Sequence, residues 1–138
     1  MSDIVITPAD VGLVSAVSGV FVQFGEAVSA GETVYLDSTS GKYYLADADD
    51  SAKDSVAGVV ISAGGAADGY GYIANGTGVV LTIGGTTTAG QVYVLSNTAG
   101  GIMPESDLTT GQYVSVVGVG DTGNKLVLGI NNSGVQHA

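Results

Sequence analysis

The chain has no cysteine, no arginine, no tryptophan, a single histidine and two prolines. Each shortage removes a class of chemistry. Without cysteine there is no disulfide framework, no thiolate nucleophile and no cysteine-held metal. Without arginine, bidentate recognition of phosphate or carboxylate loses its usual side chain. Lys42, Lys53 and Lys125 are the whole basic complement against 13 acids, for a net charge of −10. Three lysines make too thin a patch for the phosphate contacts on which nucleic-acid binding rests, and anionic membranes repel such a chain. Neither nucleic acid nor membrane is expected as a partner. His137, the only histidine, is the penultimate residue, a poor position from which to hold a general base beside a nucleophile. No enzymatic activity and no cofactor are expected.

Long apolar runs are also missing. The stretch from Val11 to Phe24 leans apolar, but it is 14 residues long and Gly12, Ser15, Ser18, Gly19 and Gln23 interrupt it. That is too short and too polar to span a bilayer. The opening Met-Ser-Asp-Ile-Val-Ile lacks the basic region of a secretory signal, so synthesis in the cytoplasm is expected. No window of about 11 residues carries a helical period.

In place of these, 23 glycines are spread among Val, Tyr, Leu and Ile runs, and 45% of the chain is apolar. Something like ten short strands at a spacing of roughly 8–12 residues follows, which indicates an all-β barrel or sandwich. A duplication underlies it. Ala30-Gly-Glu-Thr-Val-Tyr-Leu-Asp-Ser-Thr-Ser-Gly-Lys-Tyr-Tyr44 aligns without a gap on Ala89-Gly-Gln-Val-Tyr-Val-Leu-Ser-Asn-Thr-Ala-Gly-Gly-Ile-Met103, at a shift of 59 residues from Ala30 to Ala89. The two share Ala, Gly, Leu, Thr and Gly, whereas Glu32, Asp37 and Lys42 become Gln91, Ser96 and Gly101. Turn geometry and apolar alternation persist while charge does not, so the hairpin reads as scaffold. The expected organisation is an N-terminal arm or strand over residues 1–24, one repeat over 25–83, a second over 84–130, and a loose polar tail over 131–138.

From Val11 to Phe24 the apolar residues fall on both alternating sets, and a strand apolar on two faces must be covered on both. The arm is therefore a candidate subunit or partner contact, with Ile4, Val5, Ile6 and Leu13 in its first part. Val17, Val20, Phe21, Val22 and Phe24 continue the candidate contact in its second part.

Three motifs resemble chemistry. Gly118-Val-Gly-Asp-Thr-Gly123 matches G-x-G-x-x-G, but Asn124-Lys-Leu-Val-Leu-Gly-Ile130 after it reads as a strand, and the dinucleotide mechanism needs a helix there. It is expected to be a hairpin turn. Asp47, Asp49 and Asp50, with Asp54 nearby, form a weak calcium candidate; the run lacks the Gly and Glu spacing of a calcium loop and reads first as a solvated acidic loop. Seven tyrosines, alternating in strands, suggest core or interface packing with wet hydroxyls.

The phrase at Ala30–Tyr44, followed by Val56-Ala-Gly-Val-Val-Ile-Ser-Ala63, resembles the small capsid cement or decoration proteins of tailed bacteriophages. The second copy, from Ala89 through Pro104 and then Tyr113 to Ile130, is similar to the same phrase in phage head and tail structural modules. The likeness covers roughly residues 25–130. It implies a virion protein, made in the host cytoplasm, that binds the outside of an assembled shell, often as a trimer, and stabilises it. The implied partners are the major capsid protein and further copies of the chain itself. No catalytic residues carry over from that family. Two copies and an apolar N-terminal segment depart from its pattern and leave the stoichiometry open. Two other readings stand beside it: a tail-associated or cell-surface adhesion module that binds glycans through the tyrosines, and a small hydrolase using an acid such as Asp107.

Overall fold

The computed structural model describes residues 3–14, 19–63 and 65–138. Among them are eleven strands: β1 Val11–Leu13, β2 Val20–Gln23, β3 Thr33–Asp37, β4 Lys42–Leu45, β5 Gly58–Ala63, β6 Tyr70–Ala74, β7 Val80–Ile83, β8 Val92–Leu95, β9 Ile102–Pro104, β10 Tyr113–Asp121 and β11 Lys125–Gln136. Short 3₁₀ turns at Pro8–Asp10 and Glu105–Asp107 are the helical elements among the described residues. The strands form two antiparallel sheets, ordered β2-β6-β5-β3-β4 and β1-β7-β11-β10-β8-β9. The molecule is a β-sandwich and not a closed barrel.

With β1 set aside, the two strand orders are the same. β2 corresponds to β7, β3 to β8, β4 to β9, β5 to β10 and β6 to β11. The duplication therefore reaches further upstream than the hairpin similarity suggests. Gly19-Val-Phe-Val-Gln-Phe-Gly25 lies on Gly78-Val-Val-Leu-Thr-Ile-Gly84 at the same shift of 59 residues that relates Ala30 to Ala89. The boundary expected at residue 25 moves to about residue 19, and β2 belongs to the first repeat. Only the stretch ahead of it, including β1, has no counterpart.

Glycines common to both copies have a steric reason. Gly58 lies opposite Val34, and Gly118 opposite Tyr93. A Cβ on Gly58 would press on the Ala74 carbonyl, and one on Gly118 on the Val127 carbonyl. In both lobes the neighbouring strand passes too close for a side chain, and the obstacle is backbone, which cannot step aside.

The apolar residues sort into two cores. Val22, Phe24, Val34, Val60 and Ile73 fill the inside of the first sheet, which curls until its end strands touch through a parallel bridge from Phe24 to Tyr43. Val59 and Ala74, on the opposite face of that sheet, join Leu81, Ile83, Tyr93, Leu126 and Leu128 in the core between the sheets. Leu81, Ile83 and Tyr93 stand where Val22, Phe24 and Val34 stand in the first copy. Equivalent positions thus do different work. The first lobe fills its own interior, whereas the interior of the second closes over the outer face of the first, a head-to-tail stacking.

The turn Asp121–Lys125 is a hairpin with Gly123 and Asn124 at positive φ (78° and 59°), as the strand after the glycine motif implies. The tail expected to be loose is instead strand. β11 continues to Gln136 and pairs with β10 as far as Tyr113, because the long β10 extends beyond β8 and offers it a ladder. Gln112 and His137 add a main-chain bond of 2.7 Å at its end.

Gly118→Ala should destabilise the fold by about 1–3 kcal/mol, the usual cost of overpacking against an immobile neighbour. Gly129→Ala, where a Cβ meets open space, should stay within a few tenths of a kcal/mol. Thermal or urea melts of the two variants check this, and equal melting points would contradict the steric account.

Candidate functional site

Head-to-tail stacking covers only part of the first sheet's outer face. β3, β5 and the Ala74 end of β6 lie under the second lobe, but β2 and the Tyr70–Tyr72 part of β6 do not. Phe21 pairs with Tyr72 across the strands, with Gln23 opposite Tyr70. Alternation sends Val22 and Ile73 inward and leaves the three rings outward. Phe21 is 60% exposed, Tyr70 55% and Tyr72 43%. The rings cluster, with Phe21 stacked on Tyr70 at 5.4 Å between centroids (interplanar angle 5°) and edge-on to Tyr72 at 5.3 Å. Gln23 donates from Nε2 to the Asp68 carbonyl at 3.0 Å, and the Asp68 carboxylate pairs with Lys42 at 2.8 Å. The strands beneath the cluster carry no charge, and the one ion pair beside it is self-neutralised.

The other candidate contact residues do not share this surface. Val22 and Phe24 are buried in the first lobe's own core, so they are not available to a partner. Ile4, Ile6 and Leu13 are half-buried against the core between the sheets, Leu13 opposite Leu81. Val5 and, at the start of β2, Val20 are exposed. Val17 lies outside the described residues. The two-sided apolar pattern has a mixed origin: β1 belongs to one sheet and β2 to the other, so the segment is two strands and not one.

The arm fills a particular gap. In the first lobe, Gly25 N–H donates to the Tyr43 carbonyl at 2.8 Å and the curl closes directly. The corresponding acceptor in the second lobe, the Ile102 carbonyl, instead takes the Ile4 N–H at 2.8 Å. Thr7 N–H donates to the Gly84 carbonyl at 2.8 Å, and β1 then runs antiparallel along β7. Asp3 accepts from Ser96 Oγ at 2.8 Å. Residues 3–13 are thus inserted between β7 and β9, in the seam that β2 and β4 close without help. Three glycines make room: Gly31 faces Ile6, Gly84 faces the Thr7 carbonyl and Gly85 faces Val5.

The acidic loop is structural. Asp47 Oδ1 accepts from the Asp49 N–H at 2.9 Å, and Asp50 Oδ1 from the Ala52 N–H at 2.8 Å. These carboxylates fold their own turns. Asp47, Asp49 and Asp50 are not brought together, and no group of three His, Cys, Asp or Glu side chains positioned to hold a metal occurs among the described residues. Nor does the whole loop face solvent. Ala46 and Ala48 are fully buried, Ala48 N–H donates to Ser96 O at 3.1 Å, and Ala48 O accepts from Tyr113 N–H at 2.8 Å. The loop binds the lobes together.

The tyrosines divide by position. Tyr93 is in the core, its hydroxyl accepting from Thr88 N–H at 2.9 Å. Tyr35 and Tyr44 stack at 6.0 Å. Tyr70 and Tyr72 alone combine with Phe21 into an exposed cluster. The alternating Tyr70-Gly-Tyr72 was the available signal, but alternation does not say which face the second lobe would cover.

No protein-family model matches this chain, and comparison with curated proteins and with solved structures returns no match.

Phe24→Ala should cost about 3–5 kcal/mol of stability, whereas Phe21→Ala, losing exposed ring contacts, should cost under about 1.5 kcal/mol. Urea denaturation separates the two. A second outcome concerns Tyr35, whose phenol is held above its ordinary value first by burial and then by Asp37, Glu26 and Asp50. Below pH about 10 it is neutral in both states; above that the unfolded chain ionises first. Stability should therefore fall as pH rises from about 10 through the folded-state value, and Tyr35→Phe should flatten that part of the profile.

Proposed function

We propose that this chain is a non-enzymatic structural protein of a tailed-phage virion, bound to the outside of the capsid shell as a homotrimer that decorates or stabilises it. The observation that carries the reading is the β2–β6 face. A chain of net charge −10 keeps an uncharged cluster of stacked aromatic rings exposed, and clusters of this kind are where protein surfaces bind one another. The acidic remainder suits a protein displayed at high copy number, because like-charged neighbours stay apart except where they are built to meet. The major capsid protein is the partner for the rings. The phage-like hairpin phrase of the two repeats points the same way.

A second reading is favoured by the same rings. Phe21, Tyr70 and Tyr72, with Gln23 beside them, offer the stacking surface and polar edge that a sugar face would use. In that reading the chain is an adhesion module on a tail or cell surface.

Co-sedimentation with empty heads tests the first proposal. Phe21→Ser together with Tyr72→Ser should weaken head binding about 30-fold, the loss expected from a central aromatic anchor, while Thr39→Ser at the far hairpin tip should leave it unchanged. Heads that bind the double variant as tightly as the parent chain would overturn the assignment. Retention on a glycan array without head binding would favour the adhesion module.

A further inference from the structure

We propose that the seam between β7 and β9 is a strand-acceptor site, and that in the assembled protein it receives the N-terminal arm, residues 3–13, of a second copy of this chain. The internal duplication supplies the argument. The first lobe shows that five strands in this order close by themselves, Gly25 donating to Tyr43. In the second lobe the same acceptor and the Gly84 carbonyl are given to an inserted segment, so the inserted arm is a separable part of the wall. Its seat is cut for a backbone: Gly84 and Gly85 leave no room for a Cβ beneath the Thr7 and Val5 carbonyls. Hollows of about 340 and 310 Å³ flank the arm on its two sides, the first lined by Val5, Thr86 and Pro104, the second by Ile6, Glu32 and Thr98.

The connection makes exchange between copies favourable. β1 is the edge strand of one sheet and β2 the edge strand of the other, yet the positions from Val14 to Gly19 are all that joins them. A short link between edge strands of different sheets favours strand exchange, because a second copy can seat the same arm and reproduce its contacts. The arm brings two acids and no base: Asp3, which Ser96 holds, and Asp10, which is exposed in the turn before β1. The partner's arm would complete the second lobe's interior with Ile4, Ile6 and Leu13 as the chain's own does. A homotrimer of the kind proposed above would be built on this exchange, but the test uses no shell, so failure of shell docking and failure of exchange are read separately.

Two full-length single-cysteine variants, Val5→Cys and Thr86→Cys, place thiols at exposed positions of the same hollow. Unfolded together, refolded and treated with a short bis-maleimide, they should give about tenfold more linked dimer than Val5→Cys mixed with Ser40→Cys, since exchanged arms hold the thiols at an effective concentration in the millimolar range. The chain carrying both Val5→Cys and Thr86→Cys fixes the reach of the reagent. Linkage within single copies of that chain, with mixed variants no better linked than the Ser40→Cys pair, would overturn the proposal.

Discussion

Everything in this molecule depends on how a five-stranded sheet satisfies its two edges. An edge strand presents a row of main-chain donors and acceptors that must find water, a neighbour or another chain. The first lobe solves this by curling until Phe24 meets Tyr43, which also wraps Val22, Val34, Val60 and Ile73 into a private core. The second lobe does not close directly. It is wedged open by its neighbour, since Val59 and Ala74 of the first lobe occupy its interior. Between β7 and β9 the N-terminal arm takes the place of the direct contact that closes the first lobe. One duplicated sequence thus yields a self-sufficient lobe and a dependent one.

That asymmetry also leaves the aromatic face open. Head-to-tail stacking places the inner side of one repeat on the outer side of the other, and such stacking always leaves a free outer side at one end. Had the lobes packed through their two outer faces, Phe21, Tyr70 and Tyr72 would have been covered. Position Phe21 of the first copy is Val80 in the second, and Val80 is half-buried beside β1. The exposed ring cluster is therefore a local departure within the repeat, placed where the fold leaves room for it.

Strand content, the duplicated hairpin and the glycine-motif turn were legible in the residues because each rests on local rules, alternation and turn chemistry. The upstream limit of the repeat was not. Gly19–Gly25 and Gly78–Gly84 share three identical residues, and their kinship becomes plain only when β2 and β7 take the same place in their sheets. The residues from Val11 to Phe24 looked like one strand covered on both faces, because the change of sheet between Leu13 and Val20 leaves no mark on hydrophobic alternation. The acidic loop misled for a related reason. Asp49 is exposed, as the loop's charge suggests, but Asp54 is buried, and Ala46 and Ala48 carry the contact that joins the lobes. Of the candidate contact residues, Val5, Val20 and Phe21 are exposed, and the rings that meet Phe21, Tyr70 and Tyr72, come from 49 and 51 positions downstream. Pairings at that distance are decided by topology.

Charge then sets what this geometry is good for. Thirteen acids and three lysines keep copies apart at long range, and the repulsion weakens within about 8–10 Å in physiological salt. Shape-defined contacts that leave little charge unpaired can overcome it. Two places fit: the ring cluster on β2–β6, whose strands carry no charge, and the arm seat between β7 and β9, where Ser96 Oγ holds the Asp3 carboxylate. They differ in kind. The ring cluster gains by removing apolar surface from water, on the order of 25 cal/mol per Å², and will accept any flat partner. The arm seat gains by main-chain hydrogen bonds with fixed spacing, and it accepts only an extended strand that passes two glycines. The role proposed above would call on both sorts of contact, one for a foreign surface and one for a second copy, and the two lie on opposite sheets, where neither obstructs the other.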